Sequence, residues 1–194
     1  MSMIIDGTNG LTFNNATTQA SAGLTSASAL NASNVTTGTL PFAQLPTGSV
    51  LQVVQSVYNS QISTSSTTMS ATGFTVSITP KFSTSKILVI ITGGKPYCNT
   101  NNCFGANTLR RSIGAGAYSQ ITASTYDWSF GSVAGASSVP HSYTYLDSPA
   151  TTSAIIYQPY YAVDVNTGAG TYYFNLIQSS SNPTITVTAM EISA

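Results

Sequence analysis

Charge is what this chain has least of. Five Lys and Arg balance five Asp and Glu in 194 residues, so charged groups make up 5% of it, against roughly 25% in an average soluble protein. Such a chain has no field with which to gather nucleic acid or an anionic membrane surface, and neither is expected as a partner. Histidine occurs once. His141, in Val139-Pro140-His141-Ser142, is therefore the one candidate base for a hydrolase triad. No nucleophile elbow surrounds any serine, and a surface position is expected for this histidine. Glycoside cleavage needs two carboxylates facing one bond, whereas Asp6, Asp127, Asp147, Asp164 and Glu191 are scattered along the chain. Asp147, within Leu146-Asp147-Ser148-Pro149, reads as a turn former. The stretch from Asp164 to Gly170 alternates oxygen ligands but has no closing acid twelve positions along, so it reads as a hairpin turn rather than a calcium loop. The expectation is a protein that is not an enzyme and carries no cofactor or metal.

Long apolar runs are also missing. The longest, Ile87-Leu88-Val89-Ile90-Ile91, is five residues, far short of the roughly twenty that span a bilayer, so no membrane insertion is expected. Met1 to Asp6 offers no basic segment followed by a long apolar one. Synthesis in a cytoplasm is expected, the product staying there or leaving inside a particle. The glycosylation sequons at Asn15, Asn31 and Asn34 then read as accidents of a Ser/Thr-rich tract. Both cysteines, Cys98 and Cys103, lie five residues apart with too few other ligands for zinc. They are a candidate disulfide closing a short loop, or two thiols, as a cytoplasmic origin favours; both states stay open.

What the chain has instead is Ser, Thr, Asn and Gln in an ordered pattern. Ile4-Ile5-Asp6-Gly7-Thr8-Asn9-Gly10-Leu11-Thr12-Phe13 reads as two short apolar strands about a Gly/Asn turn. A polar tract follows to Thr39, with Leu24, Leu30 and Val35 its only large apolar side chains before Leu40. That is too few to offset the entropy of ordering it in one copy. The tract is either a disordered tail or a filament buried where identical chains wrap around one another. Leu40 to Ser49, bracketed by Pro41 and Pro46, reads as a stiff collar.

Beyond it the texture is strand after strand. Val50–Tyr58 is rich in Val, Phe74–Ile78 alternates strictly, and Ile87–Ile91 is continuous and β-branched, as in a central strand buried on both faces. Leu109–Ile113, Tyr126–Phe130, Tyr143–Leu146, Ala154–Val165, Thr171–Gln178 and Thr184–Ile192 bring the count to about nine, with turns at the spacing of sandwiches and barrels. No window carries a helical stripe with caps. In Leu109-Arg110-Arg111 adjacent arginines straddle both faces of a strand, so one guanidinium points inward and needs a buried partner. Trp128, Tyr157, Tyr160 and Tyr161, near Tyr172 and Tyr173, are the candidate receptor contacts, since aromatic faces stack on neutral sugars. The competing reading places these tyrosines in the core or at a subunit interface. The longest loops, 59–72, 97–107 and 131–141, are rich in Ser, Asn, Gly or Thr and are the other candidate contacts.

Gly10-Leu11-Thr12-Phe13-Asn14-Asn15-Ala16-Thr17-Thr18-Gln19 resembles a segment recurrent in tail-fibre and appendage proteins of tailed bacteriophages of marine and cyanobacterial hosts, with Asn14-Asn15 where those proteins usually have Pro-Asp. Asn31 to Pro41 and Leu45 to Val54 are similar to the link that precedes their terminal β domain. Leu109-Arg110-Arg111, Leu146 to Ser153 and Thr188 to Ile192 are similar to marks of that domain. The resemblance implies a virion protein made in the host cytoplasm and assembled as a homotrimer. Its organisation would be a virion-anchoring strand segment over 1–23, an extended trimeric shaft over 24–48 and a jelly-roll-like antiparallel β-sandwich knob over 49–194. Ile4, Ile5, Leu11 and Phe13 are the expected anchoring residues against other virion proteins of tail or capsid, and a host-surface glycan is the expected receptor. The leading expectation is a short tail fibre. A capsid decoration or head-fibre protein is its rival, and a carbohydrate-active enzyme the alternative from another class.

Overall fold

The computed structural model describes residues 4–6, 10–12, 18–19, 41–100, 103–122, 127–129, 139–164, 170–178 and 182–194, with 4–6, 10–12, 18–19 and 127–129 described as backbone alone. The chain divides into two units, Met1–Pro41 and Phe42–Ala194. In the first, β1 (Ile4–Asp6), β2 (Gly10–Thr12) and β3 (Thr18–Gln19) form an antiparallel meander, with Ile5 opposite Leu11 and Leu11 opposite Gln19. Strands this short are marginal in water by themselves. The expected shaft residues 24–40 lie outside the described residues.

The second unit opens with a 3-10 turn, Phe42–Gln44, and continues through β4 (Val50–Tyr58), β5 (Ile62–Thr64), β6 (Ser70–Ala71), β7 (Val76–Ile78), β8 (Lys86–Gly93), β9 (Tyr97–Cys98), β10 (Gly105–Ile113), β11 (Ser119–Gln120), β12 (Asp127–Ser129), β13 (His141–Asp147), β14 (Ile155–Val163), β15 (Tyr172–Asn175) and β16 (Ile185–Ile192). The chain is all-β and every sheet pairing is antiparallel, as its alternating, turn-punctuated runs predict. The order β13-β8-β16-β4 makes one sheet. A second is built on β10 and β14, flanked by β11 and β12 on one side and by β6 and β7 on the other. A small third sheet runs β5-β15-β9.

Period-two alternation puts one set of side chains from each large sheet into a shared core. Ile87, Val89 and Ile91 of β8 and Ile185, Val187 and Ala189 of β16 meet Ile155, Tyr157, Tyr161 and Val163 of β14, with Phe74 and Phe174 between. The packing is tight enough that Gly105 lies against the ring of Tyr172 where any Cβ would collide. Pro159 sits inside a long strand, where its missing N–H is normally excluded. Its carbonyl accepts from the Thr72 amide at 3.1 Å, on the side where the chain passes between β6 and β7. No ladder donor is wanted there.

One expectation fails informatively. The apolar run of β8 was expected to be buried on both faces. Ile87, Val89 and Ile91 are buried, but Leu88 and Ile90 on the opposite face are half-buried, because no layer of the described chain covers that side.

Candidate functional site

Several polar constellations and one apolar surface stand out, and the alternation of β10 and β14 decides where some of them lie. Arg111 turns to the inner face, as one of the two arginines must. Its Nη1 meets both Asp147 carboxylate oxygens, at 2.5 and 2.6 Å, and thereby joins β10 of one sheet to β13 of the other. The Tyr157 hydroxyl donates to Asp147 Oδ2 at 2.8 Å. Burial, with this contact second, pushes the Tyr157 phenol well above its ordinary range. Asp147 is thus a buried ion-pair partner and not the simple turn former expected. Its place at the end of a strand facing an inward arginine overrides the local Ser-Pro signal. Four residues earlier on β10, Asn107 Nδ2 donates to the Tyr143 hydroxyl at 2.9 Å, a second polar link between the same two strands.

His141 is not on the surface. It opens β13, is buried, and stacks on the Phe174 ring at 4.2 Å. Its Nε2 carries the proton and donates to the Phe174 carbonyl at 2.8 Å. Burial lowers its pKa to about 4, against which that hydrogen bond works. Glu191 is fully buried as well. Its carboxylate accepts from Gln52 Nε2 at 2.5 Å and from the backbone N–H groups of Lys81 and Phe82 at 2.7 and 3.3 Å, pinning the 80–85 turn to β16. Asp147 and Glu191 each belong to a separate structural set. Among the described residues no group of three His, Cys, Asp or Glu is placed to hold a metal ion, and no helix is long and apolar enough to cross a membrane.

The tyrosines expected as one receptor surface are split by the pleat. Tyr157 and Tyr161 face the core and are buried, so they are corrected from contact residues to core residues. Tyr160, one position out of phase with both, faces outward, where Arg110 lies over its ring at 4.3 Å. Tyr118 stands beside it, centroids 5.9 Å apart and tilted by 55°. Trp128 pairs across from Ala106 of β10, and its side chain lies outside the described residues. Of the anchoring set, Ile4 pairs with Thr12 and Ile5 with Leu11. Their side chains and all of Phe13 lie outside the described residues, as do 131–138 of the third long loop. The other two long loops contain β5 and β6, and β9 with the start of β10. Cys98 and Cys103, both buried, are joined as a disulfide with Cα atoms 5.7 Å apart.

The apolar surface is the outer face of the β13-β8-β16-β4 sheet. Registers align Leu146, Leu88, Met190 and Val53 in a row across all four strands, with Ile192 and Val50 next to it on one side and Ile90 on the other. Val50, Val53, Val57 and Leu146 are 53%, 54%, 58% and 48% exposed. The strand β4 is an outer strand of its sheet, nine residues long, with no charge or proline to blunt its edge.

No family model matches the chain, and no curated protein sequence matches it.

Proposed function

We propose that this chain is a non-enzymatic virion appendage of a tailed phage, a homotrimer whose β-sandwich knob contacts a host-surface glycan. In this reading the N-terminal strands anchor it to other virion proteins, the polar tract is the trimeric shaft, and the knob is jelly-roll-like. The observation that carries the reading is the uncovered apolar face of the four-stranded sheet. A monomer with 5% charged residues that also leaves Leu146, Leu88, Met190 and Val53 in one open row has a built-in reason to associate. Four strands about 4.8 Å apart and eight residues of about 3.3 Å rise give a face of roughly 500 Å² in projection. With side chains standing on it, its accessible area approaches the roughly 800 Å² per partner of a standard interface. The outward group of Arg110, Tyr160 and Tyr118 supplies a place for sugar, and three copies would turn weak single contacts into useful avidity.

The test is competition. Purified protein added to host cells is expected to block adsorption of the particle that carries it, and a monomerised form to block it poorly. Failure of the intact protein to compete would overturn the attachment reading and leave the decoration-protein alternative. A density map of the particle then gives its address, tail or capsid, and its copy number in multiples of three.

A further inference from the structure

Adjacent arginines on β10 meet different fates. Arg111, facing in, is neutralised by Asp147. Arg110, facing out and half-buried, has no carboxylate partner among the described residues. Its guanidinium is held over Tyr160 at 4.3 Å. Stacking of this kind fixes the planar donor fork in place while leaving its hydrogen-bonding edge unspent. Arg110 Nε and two neighbouring hydroxyls, Thr108 Oγ1 and Thr122 Oγ1, are buried with no hydrogen-bond partner. Thr108 is 2% exposed and two residues from Arg110 on the same face of β10. Thr122 lies two residues past Gln120, which pairs with Arg110. Unsatisfied buried polar groups are costly, and three close together on one strand pair call for an explanation. Gln158, opposite Arg110 on β14, is itself buried. Tyr118 adds a second ring, and burial raises its phenol, with the Coulombic effect of Tyr160 second, so it stays a neutral donor.

A half-buried guanidinium stacked on one ring, a second tilted ring and its neutral phenol fit one ligand class. We infer that the surface formed by Arg110, Tyr160 and Tyr118 binds an acidic saccharide. The sugar carboxylate takes the guanidinium that has no carboxylate partner among the described residues, and the sugar ring lies against the aromatic pair. This rests on the attachment reading and narrows it from a neutral to a carboxylate-bearing glycan. It also gives an otherwise salt-indifferent surface one ionic contact per copy.

The experiment titrates the full-length protein, by calorimetry or ligand-observed NMR, with matched trisaccharides: galacturonate-type and mannuronate-type acids beside their neutral hexose counterparts. The acids are expected to bind at least tenfold tighter than the neutral sugars. Raising salt from 50 to 500 mM should weaken the acids severalfold and leave the neutral sugars unchanged. Arg110→Gln should abolish the preference. Tyr160→Ala should weaken both kinds of sugar, and Tyr160→Phe neither. The wild-type comparison and its salt dependence need no variant to fold. Equal binding of acid and neutral sugar, binding of neither, or a preference that survives Arg110→Gln each overturns the inference. The attachment reading fails separately, when the intact protein does not compete for adsorption.

Discussion

Acid should loosen this fold as pH falls from 6.5 towards 4, and the cause is His141. In the folded chain its pKa is about 4, because the ring is buried against Phe174; the unfolded chain titrates near the ordinary 6.5. A depressed folded pKa means that the unfolded state binds the proton first, so stability is complete above pH 6.5 and is lost as pH falls towards 4. The loss works out at about 2 kcal/mol by pH 5 and about 3 kcal/mol by pH 4. With a urea slope of about 2 kcal/mol/M, the midpoint at pH 5 should lie about 1 M below that at pH 7. Urea unfolding at fixed protomer concentration, followed by tyrosine fluorescence between pH 7.5 and 5, measures this directly. His141→Gln should lower stability at pH 7, since the stack on Phe174 goes, but its midpoint should barely move between pH 7 and 5. A flat wild-type profile over that range, or a variant with the same slope as the wild type, would refute the reasoning.

Two other outcomes are expected. Asp147→Ala strands Arg111 between the sheets and removes the acceptor of the Tyr157 hydroxyl. It should cost about 3 kcal/mol by urea unfolding, and a loss under 1 kcal/mol would show that the ion pair is idle. Deleting residues 1–23 should leave the unit from Phe42 onward folded, with an unchanged circular dichroism melt, but abolish incorporation into particles. Normal incorporation would place the anchor in the unit from Phe42 onward.

The strands were legible because apolar runs, several of them alternating with period two, are punctuated by Gly, Pro, Ser and Asn turns. The run expected at Val50–Tyr58 is β4 to the residue, and β16 differs from its expected run by one position. The same period also sorts the tyrosines of β14. Tyr157 and Tyr161 share a parity that Tyr160 does not, so the sequence already separated two core rings from one outward ring. What it did not hold were the partners across the core. Asp147 meets Arg111 only because β13 and β10 come from different sheets that pack face to face, and no spacing in the chain encodes that distance. His141 was misplaced for a related reason. Its Pro/Ser neighbours suggest a surface loop, whereas the ring of Phe174, 33 positions away, buries it. The continuous apolar run Ile87–Ile91 suggests burial on both faces, yet the face of Leu88 and Ile90 stays half-open. Leu88 and Ile90 are the residues that a second copy would have to cover.

Self-association through that face is the claim on which the proposed function stands, and the mass of the full chain in solution tests it most directly. Sedimentation equilibrium at micromolar concentration should give three times the 20.1 kDa of one copy. Met190→Glu, which sets a charge in the middle of the apolar row, should shift the chain towards single copies while its circular dichroism spectrum is kept. A wild-type mass of 20.1 kDa under these conditions would contradict the account.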